Sequence, residues 1–448
     1  MSDLLSIGLS GVSAYRAAMT ATSDNVANAE TPGYARRSVR LREAVVPSSG
    51  GVGLGNGIRF SGVRAAGVDR AWDDFQAAEA RLSASAAGRA TARQDWLEKI
   101  EGALGHGDAS VGPLIGKFFD AGVALAANPR DRLGRAAMIA ALDDATIAIR
   151  DAAEALGNVA TGIGSEAQLE VEGLNADLAT LAEINLSIRA AEPGRSSFAS
   201  LQDERDRIID RIAEKIDVSV SLADDGTATL TLARATGVTL LDMRTRAVAI
   251  LAPAADGRLA LNLSTSGTVV PLPASGGTLA GLIDVAASTA DRRADLEAIA
   301  NDFVTTVNTW SAAGRDLAGN PGGPLLAMTA GALTIKLATT DPADIAAASA
   351  TAENGNLLDI PSMRGSDGAE ARWAALVAGS AQALASARSE AAAASSRRDN
   401  SFAARDEISG IDLDREAAEL MRFQQAYNAS TRIIQVARET LQSILDLF

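Results

Sequence analysis

A seven-residue apolar interval at both ends constrains this chain more than any other feature. At the carboxyl end Leu413, Leu420, Tyr427, Ile434, Leu441 and Phe448 repeat without a break, and Phe423, Ala437 and Ile444 fill a second seam position. At the amino end Leu5, Val12, Met19 and Val26 keep the same interval, with Tyr15 and Thr22 three residues beyond Val12 and Met19. Such spacing commits each end to a helix whose apolar stripe requires a partner. Gly8, Glu416 and Ser430 occupy core-type positions, so each helix is marginal alone. Two arrangements satisfy them. They can be ordinary helices of one domain, or they can pair antiparallel with each other and still present faces to neighbouring subunits.

Between the ends the period changes twice. From Val68 to Ile216 it is helical: Trp72, Phe75 and Leu82, then Leu97, Ile100 and Leu104, then Leu142, Ala145, Ile149, Ala152 and Leu156 recur at spacings of three, four and seven. Asn128-Pro129 and Glu192-Pro193-Gly194 break the run, because proline removes a helical donor and biases the residue before it out of the α region. After Asp217 the alternation is every second residue, with hairpin signals at Asp225-Gly226 and Asp256-Gly257. Helical spacing resumes through Leu296, Ile299, Phe303, Val307 and Trp310, and again from Glu370 to about Arg398. The expected fold is therefore mainly α with an inserted β domain. Residues 1–45 and 405–448 form an antiparallel terminal coiled coil, 46–216 and 276–404 a long helical bundle, and 217–275 a compact outer β domain.

Composition removes most chemistry. With no cysteine and His106 as the only histidine, thiolate catalysis, Cys/His zinc sites and disulfides are excluded. A net charge of −15 disfavours nucleic acid. The amino terminus lacks a basic n-region, and the longest uncharged stretch, Leu259 to Ile283, is too polar and proline-broken to cross a membrane. Gly51, Gly53, Gly55 and Gly57 lack the spacing of a phosphate loop and read as a connector. Gly112 to Lys117 has three residues between its glycines instead of four, with Phe118 where a hydroxyl belongs, and reads as helix. His106, between Gly105 and Gly107, reads as a loop residue, and the acid pairs Asp73/Asp74 and Asp143/Asp144 as solvated helix faces. No catalytic residue, cofactor or metal site is expected.

Two end motifs carry a resemblance. Leu9-Ser10-Gly11-Val12, followed by Ser23-Asp24-Asn25-Val26-Ala27-Asn28-Ala29-Glu30-Thr31-Pro32-Gly33-Tyr34, resembles the amino-terminal signature of bacterial flagellar rod, hook and hook-associated proteins, with Asp24 where many members have Asn. Gly410-Ile411-Asp412-Leu413 through Leu420-Met421-Arg422-Phe423-Gln424-Gln425-Ala426-Tyr427 is similar to the terminal motif of the flagellar hook-associated protein 1 family. Asp203-Glu204-Arg205-Asp206 and Gly276 to Leu282 resemble that family too, so the likeness spans nearly the whole chain.

The resemblance implies a non-enzymatic structural subunit, exported unfolded from the cytoplasm through the flagellar type III pathway without a cleaved signal. Such a subunit adds to the hook tip as a ring, outside the cell, at the hook-filament junction. Its partners would be other copies of itself, the hook protein, the second junction protein, and a cytoplasmic export chaperone on the carboxyl-terminal helix. The implied assembly interface is Leu5, Leu9, Val12, Met19 and Val26 with Leu413, Leu420, Phe423, Tyr427, Ile434, Leu441 and Ile444, and the axial motif is Asn25, Asn28, Thr31, Pro32, Gly33 and Tyr34. Pro32 and Gly33 would end the first helix and turn the chain toward the next layer. A hook or rod protein, whose middle is mainly β, and a helical binding or signalling module are the alternatives.

Overall fold

The computed structural model describes residues 2–47, 58–105, 107–233, 237–265, 267–272 and 276–446. His106, the Gly51–Gly57 run and Phe448 lie outside the described residues. The chain opens with helix α1 (Ser2–Ala27) and an antiparallel hairpin of β1 (Arg37–Pro47) and β2 (Ile58–Arg70). Helices α2 (Asp74–Leu104), α3 (Val111–Leu125), α4 (Arg132–Ala190) and α5 (Ser196–Lys215) follow. Next come strands β3 (Val218–Leu222), β4 (Ala228–Leu232), β5 (Thr239–Leu241), β6 (Val248–Pro253), β7 (Leu259–Thr265) and β8 (Thr268–Leu272). Helix α6 (Gly277–Ala313), the short α7 (Ile360–Met363), α8 (Ala369–Ser409) and α9 (Leu413–Leu445) complete the chain. It is a mainly helical fold with two inserted three-stranded antiparallel sheets, ordered β3-β4-β5 and β6-β7-β8.

The expected punctuation stands where the chain turns. Asp225-Gly226 joins β3 to β4, Asp256-Gly257 joins β6 to β7, and both glycines hold positive φ. Asp73 is the N-cap of α2, its carboxylate accepting the Phe75 and Gln76 amides, and Asp143 and Asp144 lie within α4. Gly112 to Lys117 is a turn of α3.

Two cores divide the interior. The larger packs α2, α3, α6, α8 and the first half of α4 around Ile100, Phe118, Leu142, Ile149, Leu156 and Phe303. Phe118 meets Phe303 edge-on, with ring centroids 6.0 Å apart. The second begins at Val171, where the same 59-residue α4 passes on to cover α5 and the sheets through Leu174, Leu178, Ile208, Ile212, Leu230 and Leu261. Helices α2 and α8 run antiparallel, with Arg93 to Glu390 at 2.7 Å and Arg388 to Glu98 at 2.6 Å, and they meet through Ala87, Ala90, Ala391 and Ala394.

The structure departs from the sequence pattern at two places. The helical run does not reach back to Val68, because Val68 to Arg70 end strand β2, and β1 runs across the 45/46 boundary expected from the sequence. Phe75 and Leu82 are exposed, while Ala77, Ala80, Ala84 and Ala87 form the buried stripe of α2. Alanine packs there because α8 approaches closely, and the larger side chains are turned outward. Among the described residues no helix is long and apolar enough to cross a membrane.

Candidate functional site

Helices α1 and α9 run antiparallel: Gly8 lies against Ile434, Gly11 against Ser430, and Asn25 against Glu416. A Cβ on Gly8 would sit 2.6 Å from Ile434 Cγ1, and one on Gly11 would sit 2.5 Å from Ser430 Oγ. The buried positions of α1 are Gly8, Gly11, Ala14, Ala18, Ala21, Thr22 and Asn25, and those of α9 are Glu416, Ser430 and Ala437. The backbones therefore approach through small residues, including the Gly8 and Ser430 that interrupt the apolar stripes, while the third interruption, Glu416, is buried against Asn25. Hairpin β1-β2 covers another side of α1, where the Val63 amide donates to Ser10 Oγ at 3.2 Å. Gly62, at φ +83°, leaves no room for a side chain beside Ser10.

Of the apolar stripe residues, Ile434 stands on this contact line, against Gly8. Leu5, Val12, Met19, Leu420, Phe423, Tyr427 and Ile434 are half-buried. Leu9, Val26, Leu413 and Leu441 are exposed, Leu9 to 55%. Ile444 falls outside the residues whose side chains are described. In the single chain, then, α1 and α9 keep an outward apolar stripe.

The axial motif forms the corner where this pair joins the rest of the molecule. Asn28 Nδ2 donates to the Asp24 carbonyl at 2.8 Å and the Thr31 amide donates to the Asn28 carbonyl at 2.9 Å, closing the end of α1. Pro32 is exposed, and Gly33 turns the chain at φ +74°, where a Cβ would collide with Arg207. Asn25 is fully buried with every polar site used. Its Nδ2 donates to the Arg37 carbonyl at 2.8 Å and to Glu416 Oε2 at 2.9 Å, while its Oδ1 accepts the Arg37 amide at 2.9 Å and the Tyr34 hydroxyl at 3.1 Å. Burial pushes the Tyr34 hydroxyl up to about 12, against the opposing pull of Arg37, whose guanidinium lies 4.5 Å from the ring centre.

Behind the corner lies an ionic hub. Asp203, Asp206 and Asp210 share one face of α5 at i, i+3 and i+7. Arg37 reaches Asp203 at 2.7 Å, and Arg70 bridges Asp203 and Asp206 at 2.6 and 2.8 Å. Arg81 of α2 bridges Asp206 and Asp210 at 3.2 and 2.7 Å, and Arg405 of α8 meets Asp210 at 2.8 Å. Arg205, also bound to Asp206, is almost wholly buried, and desolvation lowers its pKa. One helix face thus ties together the hairpin, α2 and α8. Apart from the Arg205–Asp206 pair, none of these contacts is local in sequence; the acidic i, i+3, i+7 face on α5 is the sequence signal that points to them. Beside the hub, residues 29–35, α5 and the α8–α9 connection enclose a cavity of about 540 Å³.

The comparisons agree with this architecture. Residues 97–326, just over half of the 448, match the family described as flagellar hook-associated protein FlgK helical domain. Residues 5–34 match the flagella basal body rod protein family, and residues 404–447 match the flagellar basal body rod FlgEFG protein C-terminal family. The flagellar hook-associated protein 1 of Bacillus subtilis is 26% identical across 97% of this chain and 96% of its own length. That of Escherichia coli is 25% identical over 72% of this chain, which spans 59% of the relative. The solved flagellar hook junction protein FlgK from Burkholderia pseudomallei shares the fold, with a TM-score of 0.51 at 21% identity over 56% of this chain and 47% of that one. With its helical middle matched over more than half the sequence, and with both ends matched to flagellar axial families, the chain belongs to the flagellar hook-associated protein FlgK family.

Proposed function

We propose that this chain is a non-catalytic structural subunit of the bacterial flagellum that assembles as a ring on the hook tip and joins hook to filament. The observation that carries this reading is the α1–α9 pair: its internal contact uses small residues, which leaves Leu9, Val26, Leu413 and Leu441 exposed to neighbouring copies. Leu5, Val12, Met19, Leu420, Phe423 and Tyr427, all half-buried, extend that surface, while Ile434 serves the internal contact with Gly8. Residues 1–45 and 405–448 are its inner tube, 46–216 and 276–404 the surrounding helical layer, and 217–275 the outward β domain.

The hook protein lies below the ring and the second junction protein above it. Before export the outward stripe of α9 is the surface a cytoplasmic chaperone covers, and neighbours replace the chaperone outside the cell, coupling order to assembly. The test is complementation of a strain lacking its hook-associated protein 1, with labelled antibody on isolated flagella. Restored motility with label at the hook-filament boundary is expected. Label elsewhere, or soluble protein with no restored filaments, would overturn the reading.

A further inference from the structure

In this acidic protein the β1-β2 hairpin carries a local excess of positive charge. Between Arg36 and Val68 stand six arginines, Arg36, Arg37, Arg40, Arg42, Arg59 and Arg64, against a single acid, Glu43. Four of these have assigned places or undescribed side chains: Arg37 lies in the hub, Arg36 is 3.9 Å from Glu416, Arg40 pairs with Asp69, and the Arg59 side chain is outside the described set. Arg42 and Arg64 are directly opposite each other across the β1-β2 ladder, both exposed, and neither forms an ion pair among the described residues. Like charges directly opposite on one sheet face repel, so this pair weakens the hairpin that carries it unless an anion is brought to it.

The chain itself holds a fitting anionic surface. The rim of the 540 Å³ cavity carries Glu30, Asp406, Glu407 and Asp412, all exposed, and its two arginines are engaged, Arg405 by Asp210 and, at 3.4 Å, by Asp406, Arg207 by Glu204, which leaves Glu30, Glu407 and Asp412 without an arginine among the described residues. The two surfaces cannot meet within one molecule. The hairpin leaves the cavity where the Arg36 amide bonds the Ser409 carbonyl at 2.8 Å, then runs back along α1 toward Ser10. Arg42 is six strand residues farther on, about 20 Å away at ~3.3 Å per residue, which is beyond the reach of an arginine side chain.

We infer that Arg42 and Arg64 of one copy dock on the acidic rim formed by Glu30, Asp406, Glu407 and Asp412 of a second copy displaced along the α1 axis. This rests on the assembly role proposed above and adds its register: opposite charges about 20 Å apart on each copy set the step between neighbours.

The test is charge reversal in the complementation strain. Arg42→Glu with Arg64→Glu should leave the melting temperature of the purified chain unchanged, because one exposed like-charge pair replaces another, yet lower hook-tip incorporation by about tenfold or more. Adding Glu30→Arg and Glu407→Arg in the same chain should restore it; Arg42→Gln with Arg64→Gln should give a milder loss. Absence of the unaltered chain from hook tips would overturn the assembly role and this contact with it. Normal incorporation of the reversed variant, beside a correctly placed unaltered chain, would overturn the contact alone. So would a loss that the compensating reversal fails to repair, because the anion at the hairpin would then be another protein.

Discussion

Asn25 Nδ2 donates a hydrogen bond to Glu416 Oε2 at 2.9 Å, joining two residues 391 positions apart and fastening the first helix to the last. Because Asn25 also holds both backbone groups of Arg37, one side chain joins α1, α9 and the hairpin. Asn25→Ala leaves those buried groups unsatisfied, and a loss of about 2–3 kcal/mol is expected by thermal or urea unfolding. Asn25→Asp should be worse, since it sets a second carboxylate against Glu416 and removes both donors. A melting temperature unchanged in both variants would mean that the corner is not a stabilising contact.

Glycine substitutions should have opposite signs at different sites. Gly8→Ala or Gly11→Ala forces α1 away from α9, at a cost of about 1–3 kcal/mol. Gly157→Ala meets nothing within 4 Å in the middle of α4 and should stabilise by about 0.5–1 kcal/mol. Denaturant midpoints of the variants, compared directly, give the sign.

Asp206 touches Arg70, Arg81 and Arg205 in a nearly dry hub. Asp206→Ala leaves buried Arg205 with no carboxylate and takes one of two carboxylates from Arg70 and from Arg81, and should destabilise by about 3–5 kcal/mol. Arg40→Ala, which breaks an exposed pair with Asp69, should barely move the transition. Similar melting shifts for the two would contradict the hub's role.

Tyr34 gives an alkaline signature. Its pKa rises from 10.0 to about 12 in the folded chain, so above the lower value the unfolded state releases its proton first. Stability from this group is therefore complete below pH 10 and falls as pH climbs toward 12. Tyr34→Phe should melt with a shallower pH slope across that window. Parallel slopes for variant and unaltered chain would refute the assignment.

Leu9 and Leu420 separate folding from assembly. Leu9→Asp changes an exposed residue and should leave the melting temperature of the purified protein intact, while abolishing hook-tip incorporation. A carboxylate covered by neighbours and left unpaired costs several kcal/mol, on the order of 3–5. Leu420→Asp, at a half-buried position, should lower incorporation and chaperone capture together while the central cores melt normally. Normal tip labelling of either variant would remove that residue from the interface.

The sequence by itself determined the helices, their breaks and the β insertion, because these follow from local periodicity and turn chemistry. The seven-residue interval specified helices at both ends and Asp225-Gly226 and Asp256-Gly257 specified hairpins, whereas the first helix ends at Ala27, ahead of Pro32-Gly33, which turn the chain farther on. Only the tertiary structure decided which face of each terminal helix meets the other. A helix with an apolar stripe and a small-residue stripe can bury either, and within one chain close backbone approach selected Gly8 and Gly11 against Ser430 and Ile434, leaving Leu9 and Leu441 outside. The hub was equally invisible to periodicity. Arg37, Arg70, Arg81 and Arg405 are polar residues on four separate elements, and their charges become neighbours only when the folded chain brings the Asp203-Asp206-Asp210 face of α5 among them. Coulombic pairing of that kind depends on distance in space, and distance in space is a property of the fold.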